Sequence, residues 1–507
     1  MKLKPLLRII CCFSLFLSCI EKKKSVAVGE NKPLNVLMIS VDDLNSYLGY
    51  LGDANAVTPN MDRLAANGVA FTNAHCQAPL CGPSRASLMS GLRPSTSGIY
   101  GMIKDDLIKS DNEVTKSITF LPEYFKNHGY KTLGVGKLFH TYAPKGNFEG
   151  PGRFVGEKPN HNFGPVPEKR MAWQGYPLDE GKNYKGPKTS TDWGAFPEQD
   201  SLMPDYKAVQ WIEKQLAQNL SKNPFFMAIG FLRPHVPWHV PQKWFDMYPL
   251  DNIVLPPYLA DDMNDVPEIA VHGINDLPMM PTTAWAIKTN NWKKMMQAYL
   301  ACISFVDHEI GKLLDALEKS PYADNTLVVL WSDHGYRVGE KGTFAKQCLW
   351  EEATKTPLII SGPNIPKHKK INTPVELLSI YPTLLDLCQL PPNPQNEGIS
   401  LVPLIEGKVD GKNFNAITTY GWSNHTVRTK DHRYIRYEDG SEELYDKNMD
   451  PNEFTNLANN DKYVTIKNGL KDMLPKVNNP WHKYSSYNFG SYFLDQKERV
   501  NAELIKK

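Results

Sequence analysis

The apolar and polar positions divide the chain into strands and helices before any residue is counted. Residues 34 to 41, LNVLMISV, form a continuous apolar run with β-branched members, the mark of a strand covered on both faces. Phe225 to Phe231, Thr326 to Trp331 and Leu358 to Ser361 repeat that character, and Lys131 to Val135 is a shorter version. Helical patterns lie between them. Thr58-Pro59 starts a helix from Asn60 to about Ala66, and Asn67-Gly68 stops it. A second helix begins near residue 83, and a third runs from Leu121 to His128, closed by Gly129. Trp292 to Lys319 is a long amphipathic helix, with Met296, Leu300, Ile303, Ile310 and Leu314 at helical spacing. Strands alternating with helices predict an α/β fold, a mostly parallel sheet flanked by helices on both faces. Such sheets bind ligands beyond the carboxyl ends of their strands. Polar clusters follow residues 41, 135, 231 and 331, at those ends.

Two stretches break the rhythm. Residues 141 to 200 are rich in Gly, Pro, Asn and aromatic side chains with little periodicity, which marks a functional insert or a mobile loop. After about residue 395 the character changes again. Thr426 to Tyr437 alternates as one strand would, and Asp439-Gly440 is a hairpin turn signal. The expected organisation is a catalytic domain over 34–395 and a smaller C-terminal α+β domain over 396–507.

The first residues read as an address. Lys2, Lys4 and Arg8 precede the apolar run Ile9 to Leu17, too short for an ordinary spanning helix and typical of an export signal. Residues 1–18 form the expected signal peptide and 19–33 a Lys-rich tether. Leu17-Ser18-Cys19 resembles a bacterial lipobox, which implies cleavage before Cys19 and a lipid anchor on it; a plain cleaved signal is the alternative reading. The expected location is the Gram-negative envelope, exported and touching a membrane only through that anchor.

Composition narrows the function. With 41% hydrophobic and 22% charged residues in 507, the chain is neither disordered nor collagen-like. Its 57 basic and 55 acidic residues leave a net charge of +2, so no overall basic field points to nucleic acid. A small basic pocket still suits an anionic substrate. Beyond the leader five cysteines remain, Cys76, Cys81, Cys302, Cys348 and Cys388. An odd, scattered set is no disulfide framework and leaves one thiol for chemistry.

The sharpest motif is Cys81-Gly82-Pro83-Ser84-Arg85, continuing to Gly91 and Arg93. Proline suits a first helical turn. Cys81 would then sit at a helix N-terminus, where N–H groups and the dipole favour an anion, and Arg85, four residues on, shares its helical face. The pattern reads as a cysteine-derived nucleophile beside an oxyanion site, or as a buried cysteine opening a helix. C-x-P-S-R followed by G-L-R-P resembles the signature of the type I sulfatases, and the resemblance runs from Leu34 to about residue 460, nearest to the iduronate-type members. It implies an alkaline-phosphatase-like fold. It also implies that a formylglycine-generating maturation enzyme converts Cys81 to 3-oxoalanine (formylglycine), whose hydrate is the nucleophile.

The remaining strand ends fit that family. Asp42-Asp43 closes the first strand and Asp333-His334 a later one. Carboxylates converging on one edge repel each other unless a hard cation joins them. By resemblance that cofactor is calcium (Ca2+), held by Asp42, Asp43, Asp333 and His334 with an oxygen from residue 81; other members carry Asn in place of the His. The resemblance gives Lys137 a sulfate oxygen to bind and His140 a part in collapse of the sulfated hydrate, with the two residues between them that iduronate-type members share. It places His235, in Arg233-Pro234-His235, and Lys346 on the leaving-group side, and Arg85 on the hydrate and the metal's carboxylates. Trp193, Trp238, His239 and Trp350 are either sugar platforms or packing anchors.

The function expected is hydrolysis of sulfate monoesters on a sulfated carbohydrate, in a uronate-containing glycan such as ulvan or a glycosaminoglycan. The alternatives are a phosphonate monoester or phosphodiester hydrolase of the same superfamily and an inactive glycan-binding lipoprotein.

Overall fold

The computed structural model describes residues 32–151, 164–165, 167–173, 190–220, 223–487 and 491–505. The expected signal peptide, the Cys19 anchor and the tether up to residue 31 lie outside the described residues. Among the described residues no helix is long and apolar enough to cross a membrane.

The strands are β1 (Asn35–Val41), β2 (Gly68–His75), β3 (Lys131–Gly136), β4 (Trp193–Ala195), β5 (Phe225–Phe231), β6 (Trp238–Val240), β7 (Thr326–Ser332), β8 (Lys355–Ser361), β9 (Lys369–Ile371), β10 (Val375–Glu376), β11 (Ala416–Thr419), β12 (His425–Arg428), β13 (His432–Arg436) and β14 (Glu442–Asp446). The central sheet has the order β10-β2-β8-β7-β1-β5-β3, with β9 paired to β2. β1 lies parallel between β5 and β7, Val36 facing Phe226 on one side and Leu327 on the other. Alternate residues of β1 enter different cores: Leu37, Ile39 and Val41 one, Val36 and Met38 the other. Burial of both faces is why the strand reads as an unbroken apolar run and not as an alternation.

One face is covered by α1 (Pro59–Ala66), α4 (Pro204–Leu216) and the long α5 (Trp292–Glu318), whose Met296, Leu300, Ile303, Ile310 and Leu314 all enter that core. The other is covered by α2 (Cys81–Ser90), α3 (Leu121–Asn127) and α6 (Ile380–Leu387). The α/β sheet with helices on both faces is as predicted.

Two expectations change. β2 carries no clear signal, because Thr72 and Asn73 interrupt its apolar run and its register slips between Phe71 and Ala74. It pairs antiparallel with β8, which is also antiparallel to β7, so one arm of the sheet is mixed. The segment 426–437 is two strands, not one. β12 and β13 pair antiparallel around a turn in which the Thr429 N–H donates to the His432 carbonyl at 2.9 Å. The turn residues keep the alternation going, so polarity alone hides the reversal. The Asp439-Gly440 turn is present between β13 and β14: Gly440 has φ +90°, and Asp439 Oδ1 accepts the Ser441 N–H at 2.9 Å. The four-stranded antiparallel sheet β11-β12-β13-β14 packs on the central one, the Thr419 N–H donating to the Gln77 carbonyl at 2.9 Å. Residues 34–507 form one compact unit.

Candidate active site

β1 and β7 run side by side and end together, which brings Asp42-Asp43 beside Asp333-His334. All four side chains are fully buried. Asp43 takes a left-handed φ of 61°, a conformation Asp tolerates better than most residues. That turn points its N–H at Asp333 Oδ1, 3.2 Å away. Tyr299 on α5 braces the turn: its hydroxyl donates to the Asp43 carbonyl at 2.7 Å and accepts the Asn45 N–H at 3.0 Å.

Asp42, Asp43, Cys81 and His334 each offer a donor atom within 4.8 Å of the others. Asp42 Oδ1, Asp43 Oδ2 and His334 Nε2 are buried and make no hydrogen bond. His334 Nδ1 lies 2.9 Å from the Gly335 carbonyl, to which it donates, so Nε2 turns its lone pair on the carboxylates. Orphaned buried acceptors converging with one imidazole fit a divalent cation. Asp333 stands at the edge of this group, because Arg85 Nε donates to its Oδ2 at 2.8 Å and the Asp43 N–H takes Oδ1.

Cys81 opens the ten-residue helix α2, preceded by Leu80 in extended conformation. The position of Gly82 is tight, since a Cβ would come within 2.8 Å of the sulfur of the flexible Met102 side chain. Two lysines converge on this turn. Lys137 Nζ donates to Asp42 Oδ2 at 2.5 Å; Lys346 Nζ donates to Asp43 Oδ1 at 2.6 Å and lies 3.6 Å from Cys81 Sγ. The Lys137 loop seats closely on β5, for a Cβ on Gly136 would fall 2.0 Å from the Gly230 carbonyl and one on Gly230 2.0 Å from the Lys137 carbonyl. His140 and His235 both act on the Cys81 thiol and favour its ionised form. His235 Nδ1 is 2.7 Å from the Val236 carbonyl, and its Nε2 lies 3.9 Å from Asp43 Oδ2.

The charges follow. Burial opposes ionisation of Cys81, but Lys137, Lys346, His140 and His235 outweigh it and pull the thiol well below its usual range. Burial likewise opposes Asp42 ionisation, and Lys137, His235 and Arg85 overcome it. The site is a buried anion hole lined with cations.

Every predicted site residue therefore lies at one edge of the sheet, with Arg85 beneath it. Arg85 is fully buried, 3.7 Å from Asp42, and its Nη1 donates to the Lys137 and Leu138 carbonyls. It fixes strand-end backbone and carboxylates and makes no hydrogen bond to Cys81. Trp193, Trp238, His239 and Trp350 are all at most 5% exposed, which makes them packing anchors and not sugar platforms. Cys76, Cys81, Cys302, Cys348 and Cys388 are all free and buried. Sequence reasoning missed Tyr299 and Asp105, each tied to the site through one long-range hydrogen-bond set with no local signature.

Comparison with known proteins agrees with this geometry. The Sulfatase family matches residues 34–390, and the family described as N-sulphoglucosamine sulphohydrolase, C-terminal, matches 339–480. The chain is 56% identical over 494 residues to a sulfatase of Formosa agariphila, covering 97% of this chain and 96% of that one. It is 31% identical to the iduronate 2-sulfatase of Homo sapiens over 71% of this chain and 70% of the other. A solved 2-O GAG sulfatase superposes with a TM-score of 0.63 at 23% identity, covering 87% and 91% of the two chains. The family match takes in the whole central sheet and runs through every residue from Asp42 to Lys346 that lines the anion hole, so this chain belongs to the sulfatase family and is a sulfuric ester hydrolase.

Proposed function

We propose that the enzyme removes sulfate from a sulfated sugar in a uronate-containing glycan, with residue 81 acting as formylglycine and calcium in the acidic cluster. The observation that carries this is the convergence of Lys137, Lys346, His140 and His235 on residue 81 at a helix N-terminus. The likeness to an iduronate 2-sulfatase supports a uronate-bearing substrate. Asp42, Asp43, His334 and residue 81 would hold the cation, with Asp333 bordering them. When bound it supplies positive charge to a sulfuryl oxygen, and the converted residue 81 supplies a hydroxyl nucleophile.

The chain's own groups do the rest. Lys137 and Lys346 offset charge on the sulfuryl oxygens, and Arg85 keeps the carboxylates and the Lys137 loop in register. Asp42 and Asp43 keep both lysines charged and aimed inward. His235 donates a proton to the departing sugar oxygen, its Nδ1 tied to the Val236 carbonyl so that Nε2 faces the site. His140 takes a proton from the residue 81 oxygen. Lys137, Lys346, His235 and the carboxylates are buried, which limits bulk water, while His140 is only half-buried at the rim. The leader implies, on the same proposal, an exported and lipid-anchored enzyme matured by a formylglycine-generating partner.

The test is sulfate release from a panel of sulfated glycans and their oligosaccharides, after the mass of the residue 81 peptide has been checked for conversion. Cys81→Ala is expected to abolish release while leaving the fold intact. Release near the wild-type rate from that variant would sink the mechanism. No release from converted wild type would shift the substrate class to phosphonate esters, assayed next.

A further inference from the structure

We propose that Asp105 is the positioning residue for His140, holding its ring against residue 81; this rests on the reading of residue 81 as the nucleophile. Residues 136–142 carry both Lys137 and His140, and the two ends of this segment are gripped in opposite ways. At the first end the grip is on carbonyls: Arg85 Nη1 donates to those of Lys137 and Leu138, and Ser40 Oγ donates to that of Lys137 at 3.0 Å. At the second end it is on amides. Asp105 Oδ1 accepts the His140 N–H at 3.2 Å, and Oδ2 accepts the N–H groups of Thr141 at 2.7 Å and Tyr142 at 3.1 Å.

One carboxylate thus closes three consecutive backbone amides, a charge-assisted set stronger than neutral hydrogen bonds. Asp105 is 5% exposed, in a single helical turn, Asp105–Leu107, remote from the strand that carries Lys137. The three-residue step from Lys137 to His140 leads straight into the Gly- and Pro-rich insert, so the strand itself does not define where the imidazole goes. The buried cation aims Lys137 and the buried anion aims His140. A displacement of the ring by about an ångström suffices to slow a proton transfer by about a hundredfold.

The experiment compares the full-length converted enzyme with Asp105→Asn, His140→Ala and the double variant. Asp105→Asn keeps the shape but turns an N–H2 toward the amides. It is expected to lower kcat by about a hundredfold with KM within about twofold of wild type. The double variant is expected to be no slower than His140→Ala, because both changes remove one function. The ring resonance that His140→Ala deletes from the histidine NMR spectrum is expected to move in Asp105→Asn, while those of His235 and His334 stay. Near-normal kcat, multiplying effects in the double variant, or an unmoved His140 resonance would each overturn the proposal. If the Asn chain does not accumulate folded, Asp105→Glu, which misplaces the charge by one methylene, carries the same three expectations. Wild-type activity independent of Cys81 would refute the nucleophile reading instead, and the NMR arm would still decide for or against Asp105.

Discussion

At the scale of single residues, the site is organised by charges that are costly to bury alone. Arg85 holds Asp333 at 2.8 Å and Asp42 at 3.7 Å with no exposure to water, and His334 aims Nε2 at Asp43 and Asp333 from 3.4 and 3.7 Å. Without a cation the cluster recruits protons. Burial disfavours a charged His334, but Asp333, Cys81 and Asp43 outweigh it and push the ring up to about 9. Burial pushes Asp333 up to about 6. Both values lie above the ordinary ones of 6.5 and 3.8, so these two groups hold more protons in the folded, cation-free chain than in the unfolded one, while Cys81, pulled below its usual range, holds fewer. Asp333 therefore contributes stability that is lost as pH rises from 3.8 to about 6, and His334 stability that is lost from 6.5 to about 9, the latter offset by the Cys81 thiolate. A cation taking Nε2 must release that proton, so its affinity rises over the His334 window. Chelated Cys81→Ala protein, which lacks the opposing thiolate, is expected to lose thermal stability as pH rises through the His334 window, with added calcium restoring more at the upper end. A flat profile in that chelated variant would contradict this.

At the scale of elements, strand ends deliver the chemistry and one helix holds them still. The continuous runs of β1, β5 and β7 are legible because both faces are buried, and the carboxylates after β1 and β7 follow from where those runs stop. β2 escaped notice because a polar break and a register slip erase its pattern. The β12–β13 reversal escaped because its turn is as alternating as its strands. α5 was readable as a helix but not as a brace. Its apolar stripe announces burial, whereas the Tyr299 contact with the Asp43 turn is 256 residues away in sequence. Tyr299→Phe leaves the Asn45 N–H and the Asp43 carbonyl without that partner. The expected loss is about 1–3 kcal/mol of stability in denaturant unfolding, with weaker calcium binding by calorimetry. Unchanged calcium affinity would show that the turn holds without the helix.

At the scale of the whole molecule, the C-terminal sheet is part of the active-site frame. Arg433 on β13 is fully buried; its Nε donates to Glu453 at 2.6 Å, its Nη2 to Glu351 at 2.5 Å and its Nη1 to the Leu349 carbonyl at 3.0 Å. Leu349 and Glu351 lie three and five residues after Lys346, so this network anchors the loop that presents the lysine. Arg433→Met removes the cation shared by Glu351 and Glu453, which keep Arg428 and Lys447 as partners at 3.0 Å, and is expected to cost about 1–3 kcal/mol. Because residues 34–507 pack as one unit, calorimetry should show one unfolding transition for wild type and variant alike. A separate low-temperature transition for the C-terminal segment would contradict the shared frame.

The sequence alone determined the layered α/β sheet, the acidic strand ends and the helix opening at Cys81, because each is written in a local period or a short motif. Tertiary structure decided the rest. It turned Trp193, Trp238 and Trp350 inward, gave Asp333 to Arg85, brought Asp105 to the His140 loop and locked β13 to the Lys346 segment. A local pattern states which face of an element is apolar; it does not state which distant group will meet a buried charge. That pairing is settled only when the folded core brings particular charges within reach of one another.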